Sequence, residues 1–64
     1  MIHSLIRTQF DTVVAMNKNG RKISKHCGVY EEVKEAALED TSPETLFYHE
    51  NHEGKLDTIL KEDW

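Results

Sequence analysis

Sixty-four residues with one cysteine, 12 acidic and 8 basic side chains and a net charge of −4 allow a single small domain, residues 1–64, and exclude an internal disulfide or a nucleotide-binding fold. A chain this short buries only roughly 60% of the surface its unfolded form exposes, so the core is thin. No run approaches the ~20 apolar residues of a membrane span. Ile2, Leu5 and Ile6 are interrupted by His3, Ser4 and Arg7 and make no signal peptide. With Cys27 alone, this predicts a reducing, cytoplasmic setting.

Two strand-like runs open the chain. The first is Ser4 to Met16, given β character by Phe10, Thr12, Val13, Val14 and Met16; the second is Arg21 to Cys27. Asn19-Gly20 between them is a hairpin signal. A two-residue turn there sets Met16 opposite Ile23 and gathers Phe10, Val14, Met16, Ile23 and Cys27 on the core face. Val13 and Ala15 then lie on the face away from the helix. A three-residue loop would pair Ala15 with Ile23 and scatter that set, so the two-residue register is preferred.

Val29 to Asp40 reads as a helix, with Val29, Tyr30, Val33, Ala36 and Ala37 as its apolar stripe and Gly28 as a modest N-cap. Glu31 and Glu32 occupy the first turn, where the helix dipole favours carboxylates. Thr41-Ser42-Pro43 ends it. Leu46-Phe47-Tyr48 reads as a strand, Asn51-His52-Glu53-Gly54 as a turn like Asn17-Lys18-Asn19-Gly20, and Leu56 to Lys61 as a returning strand. The expected fold class is α+β: a small antiparallel sheet with one helix on one face, in the order β-β-α-β-β. The alternative makes residues 55–64 helical, with Leu56, Ile59, Leu60 and Trp64 as a stripe.

Charge is unevenly spread. Arg7, Lys18, Arg21, Lys22 and Lys25 face only Asp11 in residues 1–30, whereas residues 31–64 carry eleven carboxylates against Lys34, Lys55 and Lys61. No constellation for catalysis emerges. His49 and His52 are three apart in a turn, whereas a zinc-protease pair is four apart on a helix. His26 and Cys27 are adjacent in a predicted strand and point to opposite faces. No enzyme activity, metal or cofactor is expected.

The expected function is a non-enzymatic protein-binding module. Glu31, Glu32, Glu35 and Glu39 would orient a basic partner, and the aromatic surface of Tyr48 and Trp64 would add contact area. One helix covers one sheet face, so a homodimer is expected to bury the rest. The alternative is a nucleic-acid binder using the basic hairpin tip of Lys18, Arg21, Lys22 and Lys25. The acidic β-β-α-β arrangement of residues 10–50 resembles small phage-encoded inhibitors, among them uracil-DNA glycosylase inhibitors and inhibitors of bacterial RNA polymerase. The resemblance is one of architecture and charge, with no motif carried over residue by residue. It implies an inhibitor of a host nucleic-acid-handling protein.

Overall fold

The computed structural model describes residues 1–64. Its order is β1 (Ser4–Arg7), β2 (Thr12–Met16), β3 (Gly28–Val29), α1 (Tyr30–Glu39), β4 (Leu46–Glu50) and β5 (Leu56–Ile59), with single 3₁₀ turns at Ser24–His26 and Lys61–Asp63. One sheet holds all five strands in the order β3-β2-β1-β4-β5. The α+β class and the helix on a sheet are as expected. The sheet is mixed, however, because β1 and β4 run parallel. The loop after β2 returns the chain to the end where β3 pairs with Thr12 and Val13. The helix then travels back along the sheet, so β4 starts at the same end as β1.

The expected long strand from Ser4 to Met16 is two strands. It folds into a hairpin at residues 8–12, where Thr8 N donates to Thr12 O (2.8 Å) and Asp11 N to Thr8 O (3.0 Å). Phe10, counted as core, is at the tip of that turn and 78% exposed. With Val13 and Ala15 facing the helix, only the three-residue register brings Ile23 to the core side. The chain takes that register: Met16 pairs with Lys22, and Ile23 N donates to Ala15 O at 2.8 Å. Every β2 side chain is therefore on the opposite face from that expected. Val13 and Ala15 are fully buried under the helix, and Val14 and Met16 face away. Beyond that bridge Arg21–Cys27 forms no strand; it turns through Ser24–His26 instead.

Three turns share one geometry. In residues 8–12, 17–21 and 51–55 the first residue's N–H donates to the fifth residue's carbonyl, and the fourth residue's N–H donates to the first residue's carbonyl. The fourth residue is left-handed each time: Asp11 (φ 60°), Gly20 (80°) and Gly54 (83°). This is a three-residue hairpin loop closed by a left-handed residue. The first residue's side-chain oxygen accepts from the third and fifth N–H groups, with Asn51 Oδ1 at 2.9 and 3.1 Å. Asn17 does the same at 2.9 and 3.1 Å, and the Thr8 hydroxyl at 3.3 Å to both Phe10 and Thr12.

The core lies between the sheet and α1. It contains Ile2, Leu5, Val13, Ala15, Tyr30, Ala37, Phe47 and Trp64, with Ile23, Val33, Leu38 and Ile59 around it. Each fully buried Leu, Ile or Val contributes about 1.5–3 kcal/mol. The helical stripe is rotated from that expected: Tyr30, Val33, Lys34, Ala37 and Leu38 turn inward, while Ala36 is exposed. Val29, not Gly28, is the N-cap residue and offers no side-chain cap. The Asp11 carbonyl instead accepts from Tyr30 N at 2.9 Å. Residues 55–64 are not helical as a whole. After β5, the turn at Lys61–Asp63 brings Trp64 into the core, 3% exposed.

Candidate interaction surfaces

The inward set of α1 leaves Glu31, Glu32, Glu35, Ala36 and Glu39 on the outer surface, all exposed. Two contacts link a basic side chain to a carboxylate, the Arg7–Asp11 ion pair at 2.7 Å and the His26–Asp40 hydrogen bond at 3.0 Å, and neither involves the glutamates of the helix. All four glutamates are therefore without a cationic partner. Lys34, on the same helix, turns toward the Tyr30 ring, its Nζ 5.3 Å from the centroid. The result is a stripe of uncompensated negative charge along one side of the molecule.

The two aromatic residues expected to add contact area lie away from this stripe. Tyr48 is half-buried on β4 and faces away from the helix, paired across the sheet with Ile6 and Thr58. Trp64 contributes no surface. Its ring sits 5.2 Å from Tyr30 and 5.8 Å from Phe47, centroid to centroid. Its main-chain oxygen accepts from Tyr30 Oη (2.9 Å), His49 Nε2 (3.1 Å) and Arg7 Nη1 (3.3 Å). Arg7 also stacks on the Tyr30 ring at 3.6 Å. This cluster locks the C-terminal turn onto the helix and sheet. Sequence reasoning missed it because its members are far apart in the chain and each is polar or aromatic in a strand context.

Lys18, Arg21, Lys22 and Lys25 are all exposed, and none is in an ion pair. They do not form a β-ribbon. Lys18 is in the turn, Arg21 closes it, Lys22 makes an isolated bridge and Lys25 is in the 3₁₀ turn. A groove-entering ribbon rests on continuous paired strands behind its tip, and here the turn at Ser24–His26 interrupts pairing between Ile23 and Gly28.

The chemical pairs weighed from sequence separate. His49 points to Trp64, while His52 is exposed in the turn. His26 is buried and donates from Nε2 to Asp40, while Cys27 Sγ donates to Ile23 O at 3.3 Å. No hydroxyl or thiol hydrogen-bonds to either member of the His26–Asp40 pair. No three His, Cys, Asp or Glu side chains converge as a metal cluster would. Three surface depressions of about 410, 450 and 460 Å³ are lined mainly by polar residues. No helix is long and apolar enough to cross a membrane.

Comparison with protein-family models, with curated proteins and with solved structures gives no match.

Proposed function

We propose that the chain is a non-enzymatic protein-binding module that recognises a basic partner surface through the outer face of α1. The observation that carries this reading is the stripe of Glu31, Glu32, Glu35 and Glu39, exposed and without a cation in reach. Like charges at helical spacing cost the isolated helix stability. A partner that neutralises them recovers that cost, and the field of the stripe speeds encounter with a positive patch. The acidic charge that the chain shares with small phage-encoded inhibitors suggests the partner class: a host protein whose basic groove otherwise holds nucleic acid.

The test is affinity capture from host lysate with the wild-type chain and with E32Q/E35Q/E39Q in parallel. The reading predicts basic proteins that elute from the wild type with rising salt and are absent from the variant. Capture of the same proteins by both would refute it.

The rival reading, nucleic-acid binding through Lys18, Arg21, Lys22 and Lys25, draws on their exposure and lack of ion pairs. It is less well supported, since no ribbon carries them and the acidic stripe opposes a polyanion. A labelled short duplex titrated at low salt should show no rise in anisotropy. A rise abolished by K22A/K25A would favour the rival.

A further inference from the structure

Half of the sheet has no cover. Alternation along each strand sends Leu5, Val13, Ala15 and Phe47 to the core, and the intervening residues to the opposite face. On that face Val14, Ile6, Tyr48 and Thr58 form one row across β2, β1, β4 and β5. Met16 and Leu46 flank Ser4 in the next row, and Leu56 lies beside Glu50 at the other end. Leu46 and Leu56 are 42% and 47% exposed, and Ile6, Val14, Met16 and Tyr48 are half-buried between their neighbours in the sheet. The surface is almost free of charge in a chain in which 31% of residues are charged. Only Lys22, opposite Met16, and Glu50, opposite Leu56, carry charge on it, and they sit at opposite corners.

We propose that this face is a self-association surface, and that two copies of the chain pack sheet against sheet through Ile6, Val14, Met16, Leu46, Tyr48 and Leu56. Three observations select a second copy as the occupant. The first is charge. The face carries one positive and one negative residue, so it can meet itself without net repulsion, although each chain carries −4. The second is the position of the acidic helix. It lies on the far side of each sheet, so sheets ~10 Å apart with helices ~10 Å outside them hold the two glutamate stripes about 30 Å from each other. That exceeds the Debye length of ~8–10 Å, so screening removes their repulsion. The third is area. One face of a body 28 × 23 × 22 Å is about a sixth of its 4518 Å² surface, so full contact would bury at most roughly 750 Å² per chain, within reach of the ~800 Å² of a standard stable interface. The surface is separate from the helix face assigned to partner recognition, and either assignment can fail without the other.

Sedimentation equilibrium of the wild-type chain over roughly 5 to 500 µM, a range suited to micromolar dissociation constants, is the test, with L46K/L56K in parallel. Both leucines are substantially exposed, so charge there is compatible with folding. Far-UV circular dichroism and the emission of buried Trp64 verify it. The wild type should approach twice its 7.4 kDa monomer mass. The variant should stay at the monomer mass, folded, with association weakened at least about tenfold. E32Q/E35Q/E39Q should dimerise like the wild type, and added salt should have little effect. A wild type that remains monomeric throughout, or a variant that dimerises as well as wild type, overturns the proposal. Should the variant not fold, dilution of the wild type followed by methyl resonances decides. Shifts at Ile6, Val14 and Leu46 support the face, and shifts confined to Val33, Ala36 and Ala37 refute it.

Discussion

At Asp11 the backbone takes φ 60°, a left-handed conformation that non-glycine residues adopt at a cost of about 1–2 kcal/mol, with Asp among the more tolerant. The residue closes the first hairpin, its carbonyl receives the first N–H of α1, and its carboxylate pairs with Arg7. The strain is held because three neighbours depend on it. Replacement by glycine removes the carboxylate but keeps the conformation accessible, while alanine removes both. D11G should therefore be more stable than D11A by about 0.5–1 kcal/mol, the reverse of the order in a helix. Urea unfolding measures the difference, and an alanine variant at least as stable as the glycine one would show that the residue is not left-handed. The same logic applies at Gly54, where a Cβ would meet nothing within 4 Å. G54A should lose about 1 kcal/mol through backbone conformation alone.

The elements differ in how plainly the sequence announces them. The helix is legible within a residue at each end because its apolar spacing and Pro43 bound it. The β4–β5 hairpin is legible because Asn51 and Gly54 signal its turn. The β1–β2 hairpin is not, since Thr8 and Asp11 stand where the other turns have Asn and Gly. The signal was nevertheless present as a hydroxyl or amide three residues before a residue tolerant of positive φ. Missing it placed Phe10 in the core set and chose the wrong register, which reversed Val13, Val14, Ala15 and Met16. Of the site residues, the helical glutamates are where the spacing puts them, because an amphipathic helix sorts charge outward. Trp64 is not, because an aromatic residue at the end of a chain carries no periodic pattern. The C-terminal turn stands in for a second helix, covering Phe47 and Tyr30 with one ring. W64A should therefore cost about 3–5 kcal/mol, comparable with the whole stability of so small a domain. Circular dichroism at 25 °C should show W64A largely unfolded and W64F folded but weakened. A fully folded W64A would mean the ring is not part of the core.

As a whole, the molecule has two unlike surfaces on either side of one thin core. One is the helix face, charged and suited to attracting a basic partner from a distance. The other is the open sheet face, neutral and suited to contact with its own copy. In a face-to-face dimer each outer side presents one acidic helix, so the assembly would be bivalent, and a partner with two basic sites would gain from effective concentration. Only ten of 64 residues are buried in the single chain, and a second sheet would double the apolar layer available to it. Folding and association are then linked, and stability depends on protein concentration.

The most direct measurement is the thermal midpoint at two concentrations, followed by Trp64 emission. For a dimer that dissociates on unfolding, a hundredfold increase in concentration adds about 1.4 kcal/mol per chain, which raises the midpoint by roughly 5–10 °C in a domain of this size. Such a rise, lost in L46K/L56K, is the predicted result; a midpoint independent of concentration would contradict it.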